Sequence, residues 1–291
     1  MIALCIHGGA GNRQPSAEDG VMLAALESAL DAGWALLESG ASALDAVHVA
    51  IGVLEDEPLF NAGRGAALAR DGSVELDAAL MDGATARVGA VIGVRGIRYP
   101  IAAARAVLEH SEHVIMAGSG AERFALAHGC EPVEPTFFVT ERSQRALERF
   151  QAQQKRVELG TVGAVALDAA GNLAAGNSTG GMTGKRPGRV GDTPIIGAGT
   201  YANKHVAVAC TGHGEYFIRI CAAMRLAMMI ELTGAALDEA AHAVLDQVAS
   251  LGGHGGLIAL DVDGNLTMPF TTPSMARAWR RSDGSGGVAI F

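Results

Sequence analysis

The stretch "ELGTVGAVALD", residues 158–168, places a Gly-Thr pair directly before an apolar strand. Small and aliphatic residues fill the strand, which is typical of a buried one. The preceding stretch, "TERSQRALERFQAQQKRVEL", is rich in charge and Gln, and it predicts a solvated helix followed by a flexible tail. A flexible segment that ends abruptly at Gly160 suggests that the chain is cut there, before Thr161.

Two interpretations of Thr161 are open from the residues alone. Thr favours strands, so Thr161 can be an ordinary strand residue. Alternatively, its hydroxyl attacks the carbonyl of Gly160, which tolerates strained backbone geometry, and the amide becomes an ester that water cleaves. The released α-amine would have a pKa of roughly 7.7–8.0. Such an amine can act as the base for the hydroxyl of the same threonine.

Composition limits the classes of function. The chain has 291 residues, is 49% hydrophobic and carries a formal net charge of -9. An acidic chain without a basic stripe is a poor candidate for binding nucleic acid or anionic lipid. No stretch reaches the roughly 18 apolar residues of a membrane span, and the start, "MIALCIHGGAG", lacks the basic region of a signal peptide. We therefore expect a soluble enzyme that acts on small molecules.

Cysteine usage points to a reducing compartment. The four cysteines form no C-x-x-C pair, and a chain of this length does not need disulfides for stability. We expect reduced thiols in a cytoplasmic protein. The cysteines are Cys5, Cys130, Cys210 and Cys221.

Predicted elements in the first half begin with a strand at residues 2–6, which ends in a Gly-rich turn. Ser16 is the predicted cap of a long helix that ends near Glu38. A second helix begins at Ser42 and Asp45, which are spaced as a capping box. Two strands follow around a hairpin turn at Asp71-Gly72, and two helices flank the short strand "HVIMAG".

The second half repeats this order of strands, helices and strands. A hairpin, "TVGAVALDAAGNLAAGNS", precedes a long Gly/Pro loop. A strand at 205–212, helices at 215–232 and 237–250, and a final hairpin follow. Such an order favours stacked antiparallel sheets with helices outside rather than a doubly wound parallel sheet.

Several Gly-rich motifs suggest nucleotide or lipase chemistry, but their context argues against both. "IHGGAG" is similar to a lipase oxyanion loop, yet the chain contains no G-x-S-x-G motif. "GGMTGKR" lacks the first Gly of a Walker A loop, and Arg186 stands where Ser or Thr is required. "GAGTYA" precedes a turn and a strand instead of the helix of a dinucleotide fold.

Two polar loops each have two interpretations. "LEDEPLFNAGRG", residues 54–65, can be a solvated helix end or a loop whose carbonyls and carboxylates bind a hard cation, and the charge pattern favours the solvated end. "PGRVGD" places Arg189 and Asp192 in a Gly-rich loop. They can form a surface ion pair, or they can bind the carboxylate and the ammonium of an α-amino acid.

Taken together, the motifs occur in an order that resembles the plant-type L-asparaginases, also called isoaspartyl peptidases, which are N-terminal nucleophile hydrolases. The resemblance covers nearly the whole chain. It implies an α+β fold, a four-layer αββα sandwich in a single domain of residues 1–291. The motifs are "IHGGAG", "PLFNAGRG", "ELDAALMDG", "GTVGAVALD", "NSTGGMTGKRPGRVGD", "GAGTYA", "TGHGE" and "GGLIALD".

The resemblance implies self-cleavage between Gly160 and Thr161. The products are an α subunit, residues 1–160, and a β subunit, residues 161–291, assembled as a homodimer of αβ units. Thr161 is the implied nucleophile, and Thr179 hydrogen-bonds beside it. Thr211 and Gly212 match the donors that stabilise an oxyanion. The implied reaction is hydrolysis of the β-amide of L-asparagine and of β-aspartyl dipeptides, without an organic cofactor.

Substrate and ion contacts also follow from the resemblance. Arg189 is the implied partner of the substrate α-carboxylate, and Asp192, together with Gly212 and Gly214, binds the α-ammonium. Asn61 matches a residue that lines the nucleophile. The acidic loop matches a structural sodium site built mainly from backbone carbonyls, which replaces the solvated interpretation. The implied sodium ligands are Leu54, Glu55, Glu57, Phe60, Ala62 and Arg64.

The chain departs from the family pattern in three places, and rival functions stay open. Asn177 stands where Thr is common, Arg64 is bulky and charged, and the linker before Gly160 is short. A glycosylasparaginase-like amidohydrolase has the same fold, but there the residue before the nucleophile is usually Asp. An uncleaved, non-catalytic binding protein of the same fold is the rival from another class. A nucleotide-binding α/β protein is the most distant alternative.

Overall fold

A computed structural model describes residues 1–153 and 160–291. The flexible tail that the sequence predicts at residues 154–159 lies outside the described residues. The strands are β1 (Ala3–Gly11), β2 (Leu76–Asp82), β3 (Val88–Val94), β4 (Ile115–Ala117), β5 (Val162–Leu167), β6 (Leu173–Thr179), β7 (Thr200–Ala202), β8 (Val206–Gly212), β9 (Gly255–Asp261), β10 (Leu266–Thr267), β11 (Ser274–Arg281) and β12 (Gly286–Ala289). The helices are α1 (Asp19–Glu38), α2 (Ala43–Asp56), α3 (Pro100–His110), α4 (Gly118–Ala127), α5 (Glu141–Gln153), α6 (Gly214–Ile220), α7 (Ala222–Thr233) and α8 (Leu237–Ser250).

The strands form two sheets that stack face to face. The 8-stranded sheet has the order β12-β11-β1-β5-β6-β2-β3-β4, and the 4-stranded sheet has the order β10-β9-β8-β7. β3 and β4 pair in parallel, and the pairs that surround β5 are antiparallel. Helices α1–α4 pack on the outer face of the large sheet, and α6–α8 pack on the outer face of the small sheet. The predicted αββα sandwich is therefore confirmed.

β5 shows why the apolar run after Thr161 is continuous. Ala164 and Ala166 belong to the apolar layer under the helices. Val165 and Leu167 face the second sheet. Side chains of a strand alternate between the two faces, so a strand buried on both faces has no polar position. The chain from Thr161 onward is thus fixed at the centre of the molecule.

Several local predictions are confirmed, and others are wrong. Ser42 Oγ accepts a hydrogen bond from Asp45 N (3.2 Å), as the capping box predicts. The Ser16 cap is wrong, because α1 begins at Asp19 with Glu18 at the cap position. Ser16 N instead donates to the Asp19 carboxylate (3.0 Å). A turn exists at Gly72, whose N donates to Ala69 O (2.9 Å), but it precedes β2 and does not join β2 to β3.

The helix predicted at 215–232 is also wrong, because it is divided into α6 and α7. The break is at Cys221, which has a φ of 51°. This left-handed conformation is unfavourable for a residue with a Cβ, and neither Gly nor Pro marks the position in the sequence. β7, β11 and β12 are additional strands that the sequence reading did not predict.

α1 is the one helix in the described residues that is long and apolar enough to cross a membrane by length and composition. Its buried positions, among them Leu26, Leu30 and Trp34, belong to the core under the large sheet. This packing is the ordinary arrangement of a core helix, and a single such helix is weak evidence for a membrane span.

Candidate active site

The carbonyl oxygen of Gly160 accepts hydrogen bonds from three side chains. Asn61 Nδ2 lies 2.7 Å from this oxygen, and Thr179 Oγ1 lies 3.0 Å from it. Thr161 Oγ1 lies 2.9 Å from the same oxygen and 3.2 Å from Thr179 Oγ1. Hydrogen bonds to a carbonyl oxygen stabilise the negative charge that develops there when a nucleophile attacks the carbon. The structure therefore brings the predicted nucleophile and the predicted cleavage site into one hydrogen-bonded group.

The loop after β6 holds two of these donors in position. Asn61 Oδ1 accepts from Ala67 N (2.7 Å), and Asn61 Nδ2 also donates to Gly181 O (2.6 Å). This arrangement fixes the amide so that its nitrogen faces Gly160. Gly181 N donates to Thr179 Oγ1 (2.9 Å), which leaves the hydroxyl proton of Thr179 for another acceptor.

Gly9 in β1 places bare backbone against the Gly160–Thr161 bond. Its φ is 105°, and a Cβ built on it would lie 3.0 Å from Gly160 Cα and 3.2 Å from Thr161 N. The pairing of β1 with β11 shifts register between His7 and Gly9, which turns this part of the strand. The "IHGGAG" motif thus gives close backbone approach to the predicted cleavage site, an interpretation that the sequence reading missed.

Asn177, one of the three departures from the family pattern, pairs with His7. His7 Nε2 lies 3.2 Å from Asn177 Oδ1. Asn177 Nδ2 donates to Gly199 O and Thr200 Oγ1, so its oxygen faces the imidazole. Burial lowers the pKa of His7 to about 4, so the ring is neutral and donates from Nε2. Only glycine fits at Gly163, where a Cβ would lie 2.1 Å from Asn177 Oδ1.

Thr211, at the end of β8, contacts β1 next to Gly9. Its Oγ1 accepts a hydrogen bond from Ala10 N (3.2 Å), the residue that follows Gly9. An accepting hydroxyl keeps its own proton available for a second acceptor. Gly212 has a φ of 139° and packs so closely on Gly255 that a Cβ would lie 2.5 Å from Gly255 Cα. The two predicted oxyanion donors are thus rigidly held.

Arg189, Asp192 and Gly214 come together as predicted, but not as an isolated surface ion pair. Arg189 Nε and Nη2 donate to the two carboxylate oxygens of Glu215, both at 2.9 Å. Asp192 is 4% exposed, and burial raises its pKa to about 7. Its Oδ2 has no hydrogen-bond partner among the described residues. A Cβ on Gly214 would lie 2.6 Å from Asp192 Oδ1 and 3.1 Å from Arg189 Nη2.

Gly181 joins these charged residues to the group around Gly160. Its backbone binds Asn61 and Thr179, as described above. A Cβ built on Gly181 would lie 3.5 Å from Arg189 Nη1. The Arg189 guanidinium therefore adjoins Gly181, which contacts the group around Gly160, and Gly214 lies between this guanidinium and the buried carboxylate of Asp192. A guanidinium and a carboxylate so placed are complementary to the carboxylate and the ammonium of an α-amino acid.

A buried ion group supports the loop that carries Arg189, and sequence reasoning missed it. Lys185 Nζ donates to Glu75 O (2.8 Å) and lies 3.8 Å from Glu75 Oε2. Asp77 is opposite Thr179 in the sheet register, and burial raises its pKa to about 6. The only sequence signal was the acidic pair Glu75 and Asp77 at the start of "ELDAALMDG", directly before an apolar run.

Backbone carbonyls converge in the loop that the resemblance assigns to sodium. Arg64 N donates to Glu55 O (2.7 Å) and closes the loop. A Cβ on Gly65 would lie 2.5 Å from Pro58 O and 2.8 Å from Phe60 O, so two carbonyls point at a residue without a side chain. The charged end of Arg64 lies over the Phe137 ring, 5.9 Å from its centre.

The side chains near this loop do not form a separate metal site. Burial raises the pKa of Glu55 to about 8, and its Oε1 accepts from Ile101 N (3.0 Å). Across the part of the chain that the structure describes, no group of three or more His, Cys, Asp and Glu side chains could hold a metal ion. Carbonyl oxygens are ligands for hard cations, so the donor chemistry of the loop fits sodium.

Comparisons with known proteins identify a family and several relatives of this chain. The model of the Asparaginase_2 family, described as asparaginase, matches residues 1–290. The isoaspartyl peptidase of Escherichia coli (strain K12) is 48% identical, over 99% of this chain and 95% of that protein. The isoaspartyl peptidase of Salmonella typhimurium is 48% identical, over 99% and 98%. The isoaspartyl peptidase/L-asparaginase of Bos taurus is 43% identical, over 93% and 90%.

The contact between Gly9 and the Gly160–Thr161 bond leads to a prediction. A Gly9→Ala variant should cut itself about 10²-fold more slowly, because its methyl group displaces the bond from the attacking hydroxyl. Gly72→Ala is the matched control, since Gly72 has a φ of 82° but nothing lies within 4 Å of its Cβ position. The rate is measured by following the loss of full-length chain on denaturing gels. Equal cutting rates for the two variants would contradict the positioning role of Gly9.

Proposed function

This chain belongs to the Asparaginase_2 family, and on that premise we propose that it hydrolyses the β-amide of L-asparagine and the isoaspartyl bond of β-aspartyl dipeptides. The names of the relatives support this assignment. The observation that carries it is the placement of Thr161, Thr179 and Asn61 around the carbonyl of Gly160. A charged pair that suits an α-amino acid lies beside them.

We propose that the enzyme first matures by cutting itself. Thr161 Oγ1 attacks the carbonyl carbon of Gly160, while Asn61 and Thr179 stabilise charge on the carbonyl oxygen. The C–N bond breaks, the amide nitrogen takes a proton, and an ester joins Gly160 to the Thr161 side chain. Water hydrolyses this ester and leaves a carboxylate on Gly160. The β subunit, residues 161–291, then begins with a free α-amine on Thr161.

In the mature enzyme, the α-amine of Thr161 serves as the base for its own hydroxyl. The hydroxyl attacks the side-chain carbonyl of the substrate. Thr211 and Gly212 donate to the oxyanion, and a donor of this kind contributes about 3–4 kcal/mol in comparable sites. Ammonia or an amino acid leaves after protonation, and water cleaves the β-aspartyl ester. L-Aspartate is the product.

Recognition of the substrate α-carbon groups falls to Arg189 and Asp192. The guanidinium of Arg189 suits a carboxylate, and the buried carboxylate of Asp192 suits an ammonium. Gly212 and Gly214 complete this part of the site, because a side chain at Gly214 would fill the space beside both charges. These contacts select substrates in which the aspartyl residue has both a free α-amino group and a free α-carboxyl group.

We also propose a structural sodium ion at the loop after α2. Carbonyls of Leu54, Glu55, Glu57, Phe60, Ala62 and Arg64 would hold it. Such an ion would stabilise the loop that carries Asn61 and would take no part in the chemistry.

We propose a homodimer of αβ units in the cytoplasm. The supporting surface is a groove on α7, lined by apolar residues that include Met224, Met228 and Leu232. Leu232, which is 75% exposed, continues this apolar groove. A contiguous apolar surface is typical of a protein–protein interaction site. The four cysteines are free thiols, which agrees with a reducing compartment.

Substitutions at Thr161 test the proposed function. Thr161→Ala should remain a single chain and should not hydrolyse L-asparagine, because it lacks the attacking hydroxyl. Thr161→Ser should still be cut and should retain part of the activity, because the hydroxyl and the amine are both kept. Thr85→Ala, in the exposed turn between β2 and β3, is the control. Ammonia release by a Thr161→Ala protein at the wild-type rate would refute the assignment.

The pKa of Asp192 leads to a prediction about pH. Its pKa is raised to about 7 by burial, so it is ionised above that pH and protonated below it. Inhibition by L-aspartate should weaken about tenfold from pH 8 to pH 6, as the partner of the ammonium becomes neutral. Inhibition by succinate, which lacks the ammonium group, should not weaken in this way. A constant ratio of the two inhibition constants between pH 5 and pH 9 would contradict the role of Asp192.

Sodium dependence tests the ion site. A cation that binds only the folded protein raises its Tm, so the Tm should be several degrees higher in NaCl than in choline chloride at equal ionic strength. Gly65→Ala should lose this difference, because its methyl group would lie 2.8 Å from the carbonyl oxygen of Phe60, one of the proposed ligands. Gly72→Ala should keep it. Equal Tm values for the wild-type protein in both salts would argue against the site.

A further inference from the structure

Glu215 uses one particular edge of the Arg189 guanidinium. Its two oxygens accept from Nε and Nη2, each at 2.9 Å. A guanidinium offers two edges with paired donors, one formed by Nε and Nη2 and the other by the two terminal nitrogens. Glu215 therefore leaves the terminal edge of Arg189 for another carboxylate. Within residues 1–153 and 160–291, the hydrogen bonds of Arg189 use Nε and Nη2, and none uses Nη1.

Glycines surround this terminal edge. A Cβ built on Gly191 would lie 2.8 Å from Nη1, and one built on Gly181 would lie 3.5 Å from it. A Cβ on Gly214 would lie 3.1 Å from Nη2. Any larger residue at Gly191 or Gly214 would press on the guanidinium. The chain thus keeps side chains away from the edge that Glu215 does not use.

The carboxylate of Asp192 lies close to Nη2, the nitrogen that the two edges share. Gly214 separates Asp192 Oδ1 from Arg189 Nη2, since a Cβ there would lie 2.6 Å from the first and 3.1 Å from the second. Asp192 Oδ2 is buried and has no partner among the described residues. Glu215, by contrast, has a side chain that is 52% exposed, whereas that of Arg189 is 16% exposed. Glu215 therefore approaches Arg189 from the solvent side.

We infer that Glu215 is a positioning residue, which holds Arg189 by its Nε edge so that the terminal edge receives the substrate α-carboxylate. This inference rests on the proposed function. It predicts that Glu215 increases the affinity of the enzyme for the substrate. A carboxylate that competed with the substrate for the same edge would have the opposite effect, so the sign of the change in affinity separates the two roles.

The test compares two inhibitors on the self-cleaved wild-type and E215Q enzymes. L-Aspartate carries the α-carboxylate, and L-isoasparagine carries an α-amide in its place. In E215Q, the KM for L-asparagine and the inhibition constant of L-aspartate should rise about three- to tenfold, with kcat changed less than about twofold. The inhibition constant of L-isoasparagine should stay within about twofold, because its α-carboxyl group, the one that Arg189 would bind, is an uncharged amide. General loosening of the site would weaken both inhibitors alike.

Two further variants make the result decisive. Glu215→Asp keeps the charge but shortens the side chain, so L-aspartate affinity should lie between those of wild type and E215Q. It also decides the matter if E215Q does not fold. Glu239→Gln, which changes an exposed glutamate in the first turn of α8, should behave as wild type. L-Aspartate that binds E215Q or E215D as tightly as wild type, or more tightly, would overturn the inference.

Failure of the proposed function gives a different result. In that case the wild-type enzyme would release no ammonia from L-asparagine. Calorimetric titration of L-aspartate into wild type and E215D would still show whether Glu215 prepares Arg189 for a carboxylate. Weaker binding to E215D would support the inference, and equal binding would contradict it.

Discussion

The hydrogen bonds to the carbonyl oxygen of Gly160 are the interaction on which the candidate site depends. Three parts of the chain meet there: the loop after α2 brings Asn61, the end of β6 brings Thr179, and the start of β5 brings Thr161. The sandwich makes this meeting possible, because β5 is buried on both faces and cannot move relative to β6. Attack by Thr161 on this carbonyl therefore needs little further ordering of the chain.

Missing side chains shape the site as much as the polar groups do. Gly9 lets β1 touch the predicted cleavage bond, and Gly163 makes room for His7 and Asn177. The backbone at Gly181 packs closely against the side chain of Arg189, and the backbone at Gly214 packs closely against the side chains of Arg189 and Asp192. Each substitution would add a Cβ within about 3.5 Å of a functional group, where neighbouring atoms must shift. The high glycine content of the chain thus has a specific use at this site.

Much of this arrangement could be predicted from the sequence, because its signals are local. The continuous apolar run after Thr161 predicted a buried strand, and the order of motifs predicted the sandwich. The partners of those motifs could not be predicted, since they depend on contacts between distant positions. His7 and Asn177 pair across the sheet, and Lys185 reaches Glu75 from another loop. Glu215 lay within the recognised "TGHGE" motif, but only the structure shows that it binds Arg189. The break at Cys221 had no Gly or Pro signal.

Hydrolysis of the substrate, as proposed, requires that Thr161 carries a free α-amine in the active enzyme. Amino-terminal sequencing of an active preparation tests it most directly. We expect two sequences in equal amounts, one that starts at Met1 and one that reads Thr-Val-Gly-Ala-Val from Thr161. An active sample that yields only the sequence from Met1 would contradict it.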